Sequence, residues 1–225
     1  LIVGGDSAIG TALSKYWENR KILFHSSTRH KELQSDSRPV YDLANTRTFK
    51  KLLDYDSAVF CAAITDMLAC EHKPKKTRSV NVSGTIDLIK KLSINKTHIL
   101  LLSSNQVFDG KYPFQHCCTP RNPINEYGKQ KAEVEEFIEN IPNSCILRLT
   151  KVLHPDLRLL KNWKKSLADG KNIYAFTDMT LSPIHINDVV TKIDNLVRKQ
   201  KNGICQLSGD RDISYFKFAQ DFADK

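Results

Sequence analysis

Val3-Gly4-Gly5-Asp6-Ser7-Ala8-Ile9-Gly10 joins an apolar start, Leu1-Ile2-Val3, to a run with helical spacing from Ile9 to Arg20. A short buried strand, a glycine turn and a helix make the opening unit of an α/β chain. Reading outward, the same rhythm repeats. Lys21 to His25 is strand-like, and Ser57-Ala-Val-Phe-Cys-Ala-Ala63 is another apolar run. Arg78 to Leu92 places Val82, Ile86 and Ile89 at helical spacing, and a strand follows at Ile99 to Leu102. A helix from Tyr127 to about Asn140 precedes the strand Cys145-Ile-Leu-Arg-Leu149. Continuous apolar strands alternating with helices predict a Rossmann-like, doubly wound parallel sheet covered on both faces.

Between His154 and Ser182 the alternation breaks. A helical piece carries Trp163 and Leu167 and stops at Gly170, and Ile173-Tyr-Ala-Phe176 reads as a short strand. A helix from Asn187 to Gln200 and a strand Ile204-Cys-Gln-Leu-Ser208 then resume the pattern. The expected organisation is a dinucleotide-type domain over 1–153, a small discontinuous lobe begun at 154–186, a return over 187–208, and a further lobe segment from 209 to 225. The first residues read as a strand entered midway, so residues upstream are expected.

Composition fits an ordinary folded chain: 225 residues, 40% hydrophobic and 26% charged. No apolar run approaches the roughly 20 residues that cross a bilayer, and no membrane partner or signal segment is expected. The net charge of +9 is spread along the chain, with no aromatic-interleaved basic block. Lys73-Pro-Lys-Lys-Thr-Arg78 alone does not make a nucleic-acid surface, and small polyanions suit such a charge as well. The six cysteines, at 61, 70, 117, 118, 145 and 205, form no C-x-x-C pair, so no metal site is expected and a reducing cytoplasm fits best. Cys61 and Cys145 fall in strand-like runs as small hydrophobes, while Cys117-Cys118 lies in a loop.

Gly4 and Gly10 hold the outer positions of a G-x-x-G-x-x-G spacing, with Ser7 where the central glycine would stand. Such a turn lets the backbone of Ser7, Ala8 and Ile9 approach a pyrophosphate at the helix N-terminus, and the Ser7 hydroxyl could donate to it. An acid closing the second strand would accept from the ribose of NAD. This chain has Phe24-His-Ser-Ser-Thr-Arg-His30 instead, so Ser27, Thr28 and Arg29 favour the 2′-phosphate of NADP(H), with NAD(H) the alternative. Asp42, beside Leu43, could accept from an adenine amino group.

Tyr127 and Lys131 are four residues apart, on one helix face and about 6 Å apart along the axis. Alone, the pair is a common helical coincidence. After a strand that ends in Ser103-Ser104, it becomes a phenol, an ammonium and a hydroxyl that could reduce a carbonyl. Bringing a phenol from its ordinary ~10 toward neutrality takes roughly 4 kcal/mol, and the Lys131 ammonium is the obvious source.

The blocks VGGDSAIG at 3–10, FCAAITD at 60–66, VNVSGT at 80–85, LLSSNQVFDG at 101–110, NPINEYGKQKAE at 122–133 and SPIHINDVV at 182–190 together resemble the extended short-chain dehydrogenase/reductases. The likeness is to their dTDP-4-dehydrorhamnose reductase branch and spans nearly the whole chain. The resemblance implies Tyr127 as general acid, Lys131 as the group that lowers its pKa and holds the nicotinamide ribose, and Ser104 as partner of the substrate oxygen, with Ser103 as fallback. It implies Ala62 and Ala63 as an apolar wall beside the cofactor, Asn81 behind the site, and Pro183 with Asn105 and Gln106 toward the substrate. His185 reads as a structural hinge, and Arg148 has no assigned part. The branch usually carries Ser-Thr-Asp-Tyr before Val-Phe-Asp-Gly, so Ser-Ser-Asn105-Gln106 leaves the sugar open.

The expected activity is NADPH-dependent reduction of a nucleoside-diphosphate keto-sugar, with a role in polysaccharide biosynthesis and with homodimers as in related proteins. The rivals are a nucleotide-sugar 4-epimerase of the same fold and a non-catalytic NADP-binding subunit like the regulatory partner of methionine adenosyltransferase.

Overall fold

The computed structural model describes residues 1–49 and 52–224. In chain order the elements are β1 (Ile2–Val3), α1 (Ala8–Glu18), β2 (Ser57–Phe60), α2 (Met67–His72), α3 (Pro74–Arg78), a π-helical stretch (Ser79–Gly84), α4 (Thr85–Ser93), β3 (His98–Ser104), α5 (Glu126–Ile138), β4 (Ser144–Leu149) and β5 (Lys151–Leu153). Then come α6 (Arg158–Ala168), β6 (Thr180–Leu181), β7 (Pro183–His185), α7 (Ile186–Arg198), β8 (Gly203–Leu207), β9 (Ile213–Ser214) and α8 (Tyr215–Ala223).

Five strands form one parallel sheet in the order β1-β2-β3-β4-β8. Alternate residues of each strand enter opposite cores, as the two-residue period of a strand requires. Val3, Ala58, Phe60, Ile99, Leu101 and Ile146 pack on one side with Leu88, Ile89 and Leu92 of α4 and Val134 and Ile138 of α5. Ile2, Val59, Leu100, Leu102 and Leu147 pack on the other with Leu13 and Trp17 of α1 and Val189, Val190 and Ile193 of α7. Both faces of the sheet are thus covered, which is why its central strands are apolar along most of their length. The doubly wound expectation holds.

Two expected strands are not strands. The segment Lys21–His25 leads only to a single bridge at the sheet edge, Ile2 with Ser26. Lys21 takes a left-handed backbone (φ 54°), and Leu23 is 98% exposed, so one side of this edge segment has nothing to pack on. Ile173–Phe176 is irregular, with Tyr174 and Phe176 exposed and no partner strand among the described residues. Conversely, two small sheets fall where the sequence showed no strand signal: β5 pairs with β7 in parallel and β6 with β9 antiparallel. They follow the C-terminal end of β4, the end at which parallel sheets hold their ligands. Among the described residues no helix is long and apolar enough to cross a membrane.

Candidate active site

The glycine turn is built by close backbone approach. Gly4 has φ +84°, and a Cβ on Gly10 would overlap the Gly4 carbonyl oxygen, so neither position tolerates a side chain without rearrangement. The Ser7 hydroxyl accepts from the Gly10 amide (3.0 Å) and donates to the Gly4 carbonyl (2.8 Å). Its oxygen caps α1 and its one proton goes to the Gly4 carbonyl, so neither is aimed at a phosphate. The amides of Ala8 and Ile9, in the first turn of α1, have no carbonyl partner within the helix and are the donors this turn offers.

Ser27 and Thr28 are buried in the same turn. The Gly4 amide donates to the Ser27 hydroxyl (3.0 Å), and Thr28 donates to Asp6 (2.6 Å). They fix the glycine turn, leaving Arg29 as the exposed member of the expected trio. Arg29 reaches His30 (3.4 Å), whereas Arg38 pairs with the second oxygen of Asp6. Arg38 carries no sequence signal, because the chain returns to the turn through a Thr28–Val40 bridge that spacing does not reveal. Asp42 accepts from the Ala44 amide (2.9 Å), and the Leu43 carbonyl lies hard against Gly84.

A cleft of about 360 Å³ runs over the C-terminal ends of β2, β3 and β4. Ser7, Ala8 and Ile9 line it together with Ala63, Ser104, Asn105, Gln106, Tyr127 and Lys131. The residues expected to carry chemistry are thus gathered at one place. Gly4, Gly10, Ser27, Thr28, Arg29, Asp42, Leu43, Ala62, Asn81 and Pro183 are not in its lining. Asn81, in the π-helical stretch, is 3% exposed and clamps the loop after β2: Oδ1 accepts from the Ile64 amide (2.7 Å) and Nδ2 donates to the Ile64 carbonyl (2.9 Å). Pro183 opens β7 beside Lys151. His185 closes β7 and caps α7, its Nδ1 accepting from the Asn187 amide (3.2 Å).

Tyr127 and Lys131 share the buried face of α5, at 9% and 6% exposure. The Asn125 side chain caps this helix by accepting from the Gly128 amide (2.8 Å), and its Nδ2 donates to Gln106 (2.7 Å). A Cβ on Gly128 would overlap the Gln106 carbonyl oxygen, so a glycine after Tyr127 lets α5 sit directly on the turn that follows Ser104. Gln106 thereby joins the helix of Tyr127 to the strand end of Ser104. The Ser104 hydroxyl accepts from the Gln106 amide (3.2 Å), and the neighbouring Ser103 hydroxyl is buried with no hydrogen bond among the described residues.

The electrostatics differ from the expected pair. Burial holds the Tyr127 phenol above its usual range, and the influence that lowers it is a hydrogen bond with Ser104, not Lys131. Lys131 donates to the Leu102 carbonyl (2.8 Å), and burial pulls its pKa down to about 8, partly opposed by Glu135 one turn on. Glu135 belongs to a buried ion pair with Arg148 (2.7 Å), whose guanidinium also donates to the Cys117 carbonyl (3.0 Å). Arg148 thus ties α5 to β4. All six cysteines are free, and burial pushes the Cys61 thiol, in the cleft wall, up to about 12. Contrary to the spacing rule, His116, Cys117 and Cys118 bring potential metal-ligand atoms within 4.8 Å of one another in an exposed loop.

A doubly wound parallel sheet, a glycine turn into its first helix, and a serine, a tyrosine and a lysine in one cleft define the class: the extended short-chain dehydrogenase/reductases. Within it, the chain belongs to the family described as the RmlD substrate binding domain, whose model matches residues 1–225. The chain is 28% identical over 190 residues to a probable low-salt glycan biosynthesis reductase of Haloferax volcanii, covering 80% of this chain and 63% of that protein. It is 26% identical over 178 residues to methionine adenosyltransferase 2 subunit beta of Bos taurus, covering 74% and 53%. The chain therefore spans between about half and two thirds of the length of these relatives. A dTDP-4-dehydrorhamnose reductase from Bacillus anthracis, solved in complex with NADP, superposes with a TM-score of 0.86 at 19% identity, over 99% of this chain and 79% of that one.

Proposed function

We propose that the chain is an NADPH-dependent reductase of a nucleoside-diphosphate keto-sugar. One observation carries this reading: Ser104, Tyr127 and Lys131 line the same cleft as the first turn of α1. The glycine cradle at Gly4 and Gly10, which any Cβ would fill, fits a dinucleotide pyrophosphate, with Arg29 the exposed cation for a 2′-phosphate. Residues 1–153 would hold the cofactor, with Ala62 and Ala63 as the wall beside it and Asp42 and Leu43 at its adenine end. The segments 154–186 and 209–225, with Asn105, Gln106 and Pro183, would hold the sugar.

When bound, the cofactor supplies a hydride to the carbonyl carbon. Tyr127, kept protonated by burial, gives its proton to the carbonyl oxygen, and Ser104 donates a hydrogen bond to that oxygen. Lys131, held by the Leu102 carbonyl one turn along α5 from Tyr127, would hold the nicotinamide ribose. Asn81 acts at one remove, by holding the loop after β2, and Gln106, besides facing the sugar, also holds the N-terminus of α5. The likeness to a methionine adenosyltransferase subunit keeps one other reading in play, a cofactor-binding regulatory subunit without turnover.

Incubation with deuteride-labelled NADPH and a dTDP-4-keto-6-deoxy sugar separates the readings. The reductase gives one deuterium on the former carbonyl carbon with stoichiometric NADP formation. An epimerase would interconvert sugars without consuming NADPH, and a regulatory subunit would bind the cofactor and leave both compounds unchanged.

A further inference from the structure

The loop between β3 and α5 carries three consecutive metal-ligand side chains, His116, Cys117 and Cys118. None of them lines the cleft, so they stand apart from Ser104, Tyr127 and Lys131. Side chains of adjacent residues ordinarily diverge. Here the Thr119 amide donates to the His116 carbonyl (3.0 Å), and the turn so closed gathers the three, with their ligand atoms all within 4.8 Å of one another. The Cys118 amide donates to Nδ1 of His116 (3.3 Å). An amide N–H only donates, so Nδ1 presents its lone pair to the turn and the neutral ring carries its proton on Nε2.

The spacing matches one coordination geometry. Zn²⁺ takes thiolate sulfur at about 2.3 Å and imidazole nitrogen at about 2.0–2.1 Å, in a tetrahedron. Two sulfurs on such an ion lie about 3.8 Å apart, and a sulfur and a nitrogen about 3.6 Å apart. In the loop the Cys117 and Cys118 sulfurs are 3.9 Å apart, and Cys117 Sγ is 3.7 Å from His116 Nδ1. Two edges of the tetrahedron thus have nearly the required length. The backbone of the turn is held from outside. Arg148 of β4 donates to the Cys117 carbonyl (3.0 Å), and Gln206 of β8 donates to the Gln115 carbonyl (2.7 Å). Anchorage to two strands of the sheet reduces what an ion must order on binding. His116 and Cys118 are exposed, which gives the ion an entry path.

We infer that His116, Cys117 and Cys118 form a Zn²⁺ site, ligated by Nδ1 and the two sulfurs, with water at the fourth corner. Each thiol gives its proton to solvent as its sulfur takes the ion, so two thiolates neutralise the dication. Soft sulfur and imidazole select Zn²⁺ over Mg²⁺ and Ca²⁺, which take oxygen.

The test uses the full chain, reduced with a phosphine and freed of metal by chelation. It is titrated with Co²⁺ and then Zn²⁺, beside Cys117→Ser, Cys118→Ser and His116→Ala. Cobalt in such a site shows thiolate-to-metal charge-transfer absorption, and Zn²⁺ displaces it. One ion per chain is expected, and each variant should lose more affinity than the roughly 10–100-fold that an outer-shell change costs. The metal-free variants should unfold at the wild-type midpoint, which separates loss of a ligand from loss of the fold. Absence of the charge-transfer band, Zn²⁺ held equally by the serine variants, or full affinity in His116→Ala overturns the three-ligand site. So does one ion per two chains, which would place the ion between copies. The reductase reading stands or falls separately from all of these outcomes.

Discussion

Replacing Lys131 by methionine should stabilise the molecule at neutral pH while abolishing turnover. The native ammonium is 6% exposed and has its pKa lowered from the ordinary 10.5 to about 8. That depression corresponds to roughly 3 kcal/mol of disfavour for the charged native form near neutral pH. Methionine fills a similar volume without charge but forgoes the hydrogen bond to the Leu102 carbonyl, worth about 1 kcal/mol. The net gain is about 2 kcal/mol, or a rise of roughly 4–8 °C in thermal midpoint for a chain of this size. The sign follows from the depressed pKa of a base. The unfolded chain binds the proton more tightly, so wild-type stability rises as pH increases from about 8 toward 10.5, and the advantage of the variant should vanish near the upper end of that window. Urea unfolding of both proteins across this range measures the difference, and effects of other titrating groups cancel in it. A variant less stable than wild type at neutral pH, or a difference that does not change with pH, refutes the reasoning.

Gly128→Ala should invert the usual preference for alanine within a helix, worth roughly 1 kcal/mol, because its methyl group would overlap the Gln106 carbonyl oxygen. Urea unfolding should show a loss of about 1–3 kcal/mol and kinetics a fall in kcat, since α5 must move off the turn after Ser104. Glu135→Ala leaves Arg148 buried and unpaired and should cost about 3–5 kcal/mol in urea unfolding. The double variant Glu135→Leu with Arg148→Leu should recover much of that loss, because it removes the desolvated charge altogether.

The sheet was legible because each central strand is buried on both faces, so Ser57–Phe60, His98–Ser104 and Ser144–Leu149 stand out as apolar runs whatever surrounds them. Edge segments carry no such guarantee. An apolar run there has a strand neighbour on one side at most, so its hydrophobicity alone does not make it a strand. Ile22 and Phe24 pack on the core while Leu23 stands in solvent, so Lys21–His25 yields one bridge and no strand. Ile173–Phe176 misleads for the same reason, with Tyr174 and Phe176 turned to solvent.

That Tyr127, Lys131 and Ser104 would meet in one cleft could be anticipated, because one helical turn and one strand end place them without knowledge of the loops. The partners of Ser7 were less visible. A hydroxyl at a helix start is as suited to capping as to phosphate, and the cap takes it here. The contacts of Arg38 with Asp6 and of Gln106 with Asn125 run through loops, which spacing does not reveal. A glycine inside a helix, Gly128, was the one available signal that α5 presses against another backbone.

Delivery of a proton by Tyr127 during reduction by NADPH is tested most directly by Tyr127→Phe. Phenylalanine keeps the ring and loses the proton. With dTDP-4-dehydrorhamnose as substrate, NADPH consumption followed at saturating concentrations should fall by about 10²–10⁴-fold while NADPH affinity is retained. Wild-type rates in the variant, or tight NADPH binding with no consumption by either protein, would contradict it.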